Sequence, residues 1–363
     1  MAIMIKTKVI VSIGTGGVGK TTVSAALGYR LATEGLKVLV LTIDPSQRLA
    51  TTLGIGQSKD IVRVKPFEGE GLFKGELYAS VVDHQSVFNE FIMRAAKKDS
   101  QIQKIINNKL YKQLSTSLSG SQEFTALEKL YSCYETGIYD YIILDTPPSK
   151  HAIDFLNAPE KLASLFNENI TKWFKDTSQG GTWLSSLISS GTKQVLRALE
   201  MLTGSEFIKE LSLFFTYIND WQDKLHERTI AVHSLLTGMQ TEFYLVTGVD
   251  DAKLKEASQI LRLIRKQGYH LTKVIMNKAL PSWNIEEPLD LDLIVIEESR
   301  DELIKWHQKF VELYLQRMTT LKLFFEQFKK EIQVVTLIEY NEPISDIVGL
   351  HQFAKSLNPE IQN

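Results

Sequence analysis

Residues 8–21, KVIVSIGTGGVGKT, constrain the fold of this chain more than any other stretch. An apolar run of strand length, KVIVSI, leads straight into GTGGVGKT, which satisfies the pattern G-x-x-x-x-G-K-[ST]. A helical pattern follows from about Lys20 to Glu34, Gly35 stops it, and KVLVLTI reads as the next strand. Strand, glycine loop and helix in that order are the context a phosphate-binding loop requires. The glycines let successive backbone N–H groups turn inward around phosphate oxygens, and the helix adds the positive end of its dipole. Lys20 is placed to reach the β- and γ-phosphates of a nucleotide, and the Thr21 hydroxyl to ligate Mg²⁺. The expected cradle is Gly16, Gly17, Val18, Gly19, Lys20, Thr21 and Thr22.

Further strand candidates are IVRV, ELYASVV, YIILD, EFYLVTG, KVIMN and QVVTLI. Helices are expected at residues 85–98, 101–118, 122–134, 252–267 and 344–357. The strands are apolar at nearly every position, as parallel strands covered on both faces should be. The expected fold is therefore α/β, a P-loop NTPase with a mostly parallel sheet flanked by helices. About residues 159–236 hold no convincing strand and read as an α-helical insertion within a single domain spanning residues 1–363. A long helix from about Asp301 to Lys330 carries Ile304, Val311, Tyr314, Met318, Leu321, Phe325 and Phe328 at three- and four-residue spacing. That spacing suits packing on its own domain, or else a seam facing a partner.

Two aspartates stand where a nucleotide site needs them: Asp44, in LTIDPSQRLATTLG, and Asp145, in YIILDTPPSK, each at the end of a strand. A carboxylate there projects into the crevice where α/β sheets bind ligands, although it could also cap the following turn. One would hold Mg²⁺, directly or through water, and the other would orient the attacking water. A net charge of −2 gives no reason to expect nucleic acid or an acidic membrane surface as partner. No stretch of about 18 uncharged apolar residues is present, so no integral membrane segment is expected. The single cysteine, Cys133, excludes an intramolecular disulfide, and a cytoplasmic location is expected. His226 and His233 share a helical face without a ligating cluster nearby and read as core or surface histidines.

KVLVLTIDPSQRLATTLG after GTGGVGKTT, then ILDTPPSKHAIDFL, resembles the ArsA-type anion-transporting ATPase family. That family also includes the ATPase that delivers tail-anchored membrane proteins. SLSGSQEFTALEKLY, YDYIILDTPPSKHAIDFLNAPEKL and EFYLVTGVDDAKLKEASQILRLIRKQGYHLTKVIMNKALP are similar to the bacterial ArsA-related ATPases. The resemblance covers most of the chain and weakens in the helical insertion and after about Leu280. It implies a deviant Walker A ATPase that sandwiches ATP or ADP with Mg²⁺ at a dimer interface. It assigns Asp44 to the switch that positions hydrolytic water, Asp145 to the start of the second switch, and Asn277 to the adenine edge. By its own residue type Asn277 could equally begin a turn. No N-K-x-D guanine motif is present, which favours ATP.

The family pattern is G-K-G-G-x-G-K-[ST], and its first lysine reaches across the dimer to the partner's nucleotide. Here that position is Thr15, which carries no charge. A cationic finger can be worth about 10³ to 10⁵ in rate for related phosphoryl transfers, so slow hydrolysis with intact binding is expected. Arg48 and Lys150 are the candidate substitutes. One cysteine can build neither the family's arsenite site nor its C-x-x-C zinc clasp. The expectation is a Mg²⁺-dependent, ATP-hydrolysing dimeric switch, with Asp44 and Lys20 catalytic and Thr21 and Asp145 on the metal. The dimer would be homomeric or formed with a lysine-bearing paralogue. The alternatives are a nucleotide-gated binding subunit with little turnover, or a targeting factor whose insertion holds a hydrophobic client.

Overall fold

The computed structural model describes residues 7–43, 48–56, 58, 60–65, 74–95, 121–147, 155–158, 222–280, 300–326, 332–340 and 343–357. Among these, eight strands form one sheet: β1 (Lys8–Gly14), β2 (Lys37–Thr42), β3 (Val62–Arg63), β4 (Glu76–Val81), β5 (Tyr141–Asp145), β6 (Thr241–Thr247), β7 (Leu271–Ala279) and β8 (Gln333–Ile338). Their spatial order is β3-β4-β2-β5-β1-β6-β7-β8. Every pairing is parallel except that of β3, a two-residue strand antiparallel to β4 at one edge. Each strand expected from the sequence is present.

The helices are α1 (Lys20–Thr33), α2 (Arg48–Thr52), α3 (His84–Ala95), α4 (Ser121–Glu135), α5 (Gln222–Thr237), α6 (Asp251–Lys266), α7 (Arg300–Phe325) and α8 (Ile347–Ser356). The short α2 was not expected. The helix expected at residues 101–118, and the part of the expected insertion at 159–221, lie outside the described residues; α5 forms the end of that stretch.

Alternate residues of the strands enter two cores. Val9, Val11 and Ile13 join Leu39, Leu41, Ile142 and Leu144 against α4, α5 and α6. Ile10, Val38, Val40 and Ile143 face the other way, onto α1 and α8. This double burial is why β1 and β2 read as unbroken apolar runs. At its ends the sheet is less covered. Helix α7 buries only Tyr314 and Phe324, and Trp306, Phe310, Leu313 and Met318 are exposed. The regular apolar spacing of α7 therefore overstates how much of it packs on its own domain. Among the described residues no helix is long and apolar enough to cross a membrane.

Candidate functional site

β1 is the strand from which the chain turns both ways, to β2 and β4 on one side and β6 to β8 on the other. The crevice beyond the carboxyl end of such a strand is the ligand position in open α/β sheets. The glycine loop occupies it. Gly17 and Gly19 have φ of 75° and 84°, left-handed values that glycine adopts without penalty and that turn backbone N–H groups inward. At Gly19 any side chain would also collide with Asn277, whose Nδ2 lies 2.6 Å from the position of a Cβ. Helix α1 starts here with no side-chain cap and no acidic residue in its first turn. Its first N–H groups and its positive dipole end thus lack a side-chain acceptor, as an anion site requires.

Lys20 bridges the loop. Its ammonium donates to the carbonyls of Gly14 at 3.2 Å and Thr15 at 3.0 Å, which holds the charge over the concave side. Thr21 Oγ1 donates to Asp145 Oδ2 at 2.7 Å, although the two residues are 124 apart in sequence. The same Oδ2 accepts a second bond, 2.9 Å from Thr42 Oγ1 at the end of β2. Beyond Asp145, the Thr146 hydroxyl donates to Ser12 O at 2.8 Å and pins the outgoing chain to β1. A hydroxyl and a carboxylate this close offer hard oxygen ligands side by side at the start of α1. That donor set fits Mg²⁺, which is usually held by one or two carboxylates together with substrate phosphates.

Asn277 ends an apolar run in β7 and is buried, its Nδ2 donating to Val18 O at 2.8 Å. It therefore braces the loop from behind. It also lines a cleft of about 400 Å³, together with Gly17, Thr22, Tyr340, Pro343 and Phe353. Tyr340 stands edge-on to Phe353 with ring centroids 5.5 Å apart. No local pattern points to this aromatic wall, because it is the pairing of β8 with β7 that brings residues 338–340 towards Asn277. Thr42 was likewise missed: a threonine at a strand end reads as an ordinary β-former.

Thr15 is fully buried, and its hydroxyl has no hydrogen-bond partner among the described residues. Asp44, Lys150 and the side chain of Arg48 lie outside the described residues. His226 and His233 are exposed on α5.

The profile of the anion-transporting ATPase family matches residues 7–294. The chain belongs to that family. This ATPase is 26% identical over 297 residues to the candidate arsenical pump-driving ATPase 1 of Aquifex aeolicus, covering 77% of the chain and 65% of that protein. It is 21% identical over 353 residues to the candidate arsenical pump-driving ATPase 2 of the same organism, with 95% and 97% covered. It is 23% identical over 367 residues to the ATPase ASNA1 homolog of Cryptosporidium parvum, with 96% and 89% covered. It thus spans just under two thirds of the first of these relatives and nearly all of the second. The glycine loop, Thr21 and Asp145 all fall within the matched stretch.

Proposed function

We propose that this ATPase is a cytoplasmic, Mg²⁺-dependent dimeric switch that binds and hydrolyses ATP and couples its nucleotide state to a client or partner. The observation that carries the reading is the Thr21–Asp145 bond, set beside an α1 N-terminus without a side-chain cap and spanned by Lys20. In it, backbone N–H groups from Gly16 to Thr22 and the Lys20 ammonium hold the β- and γ-phosphates. Thr21 and Asp145 would hold a magnesium ion, whose charge would offset that of the phosphate oxygens. Asp44 orients a water in line with the bond from γ-phosphorus to the bridging oxygen; that bond breaks as the new one forms, and ADP leaves. The cleft walled by Asn277, Tyr340 and Pro343 receives the adenine, with the Asn277 side chain at the base edge.

The deciding measurement compares Asp44→Asn and Asp145→Asn with the parent chain. Asp44→Asn keeps nucleotide affinity and lowers turnover by roughly 10²-fold or more. Asp145→Asn weakens Mg²⁺-dependent binding. Unchanged turnover in Asp44→Asn overturns the hydrolytic part of the reading.

The enclosed Thr15 favours a second reading, in which turnover is low until a partner supplies the missing cation. The purified chain alone would then bind ATP but hydrolyse it slowly, and a lysine-bearing partner would accelerate it. Membership of the family that also includes the ATPase delivering tail-anchored membrane proteins motivates a hydrophobic client, with residues 159–236 as the helical insertion that would hold it. Failure to retain an apolar helical peptide in an ATP-dependent pulldown would remove that part.

A further inference from the structure

We propose that Thr42 is a positioning residue for the metal: its hydroxyl fixes the Asp145 carboxylate in the orientation in which it and Thr21 bind magnesium. The proposal rests on the nucleotide-site reading above and concerns a residue that the reading leaves without a task.

The side chain of Thr42 is wholly buried at the last position of β2. In register it stands directly beside Asp145 of β5, and Asp145 stands beside Ser12 of β1. All three lie two residues beyond Val40, Ile143 and Ile10, which face α1, so they form a polar row beneath the start of that helix. A buried position in a strand covered on both faces favours an aliphatic side chain. A hydroxyl there carries a desolvation cost of about 1–3 kcal/mol unless it finds a partner. Its partner is Asp145 Oδ2, at 2.9 Å.

The geometry does more than satisfy a buried group. An aspartate at a strand end can swing its carboxylate about χ2, whose potential is broad. Here one oxygen receives two hydroxyl protons, from Thr21 on α1 and Thr42 on β2. Donors on two separate elements, with the backbone of β5 as the third point, triangulate the carboxylate. Mg²⁺ demands near-ideal octahedral geometry, so it is sensitive to the aim of each ligand. Loss of an outer-shell partner of this kind typically costs 10- to 100-fold in metal affinity.

Thr42→Val keeps the shape and β-branching and removes only the hydroxyl; Thr42→Ser restores the donor. Both are compared with the parent chain by titrating Mg²⁺ into protein mixed with a fluorescent ADP analogue, after measuring affinity for the analogue in excess chelator. Thr42→Val should bind the analogue normally without metal and require roughly tenfold more Mg²⁺ to reach its metal-supported affinity. Thr42→Ser should recover most of that loss. An unshifted Mg²⁺ midpoint in Thr42→Val overturns the proposal, as does an equal loss without metal or a serine variant no better than valine. Should the valine variant not fold, the proposal rests on Thr42→Ser and Thr42→Ala, with near-parent and weakened Mg²⁺ midpoints respectively. Asp145→Asn separates the two levels: if it leaves the Mg²⁺ dependence untouched, the metal assignment fails, and the Thr42 proposal with it.

Discussion

A side chain's chemistry depends on what surrounds it, and two residues of this ATPase make opposite use of burial. Asp145 is buried and gripped by hydroxyls, so its carboxylate is held in one orientation. Cys133 on α4 is buried among apolar neighbours, and burial pushes its thiol from 9.0 up to about 11. The thiolate is the reactive form, so native protein at pH 8 should resist a disulfide reagent and react fully only after denaturation. Rapid native labelling would contradict this. Because the folded pKa is raised, the thiol's contribution to stability is fully present below pH 9 and is lost as pH rises through about 11. At this scale the sequence marked Lys20, Thr21 and Asp145 as candidates, through local pattern and strand ends. Thr42 and Tyr340 were hidden because only the pairing of strands brings them to Asp145 and the cleft.

Between elements, Arg228 of α5 ties that helix to α4 through two ion pairs. Arg228 donates to both carboxylate oxygens of Glu128, at 2.8 Å and 3.1 Å, and lies over the Tyr131 ring at 4.4 Å. It also pairs with Glu135 at 2.7 Å. The Glu128 side chain is only 2% exposed, so removing its principal cation leaves a desolvated charge behind. Arg228→Ala should therefore destabilise the fold by about 3 kcal/mol in denaturant unfolding, the scale for a broken buried pair. Replacing both partners together, as Glu128→Leu with Arg228→Met, should cost less than that single change. A double variant as unstable as the single one would show that packing, not charge, is the cause. The elements themselves were largely legible, since α4 and α6 have one strongly apolar face and the strands have two. Helix α7 was the exception. Its spacing is regular, but apolar residues occur on more than one face, and periodicity alone does not say which of them meets the domain.

Across the whole molecule, the strands fall into two blocks, each from one continuous part of the chain. β2 to β5 all lie on one side of β1 and come from residues 37–145; β6 to β8 lie on the other and come from 241–338. Between them run residues 159–221. Fold class was readable because the alternation of strand and helix is plain in both blocks. The sheet order was not, since nothing in β5 itself says that it inserts between β1 and β2. This arrangement makes the two blocks candidates for split-protein complementation. Their contact is the β1–β6 ladder, from Val9 beside Thr241 to Gly14 beside Val246, together with the packing of α4 on α5 and of α1 on α8. None of these contacts depends on an unbroken backbone between the blocks. Residues 1–158 and 222–363, expressed as separate polypeptides in one cell, should copurify and regain ATP binding, because the glycine loop belongs to one piece and Asn277, Tyr340 and Pro343 to the other. Neither piece should bind ATP alone with the affinity of the pair, which makes the nucleotide itself a reporter of reassembly.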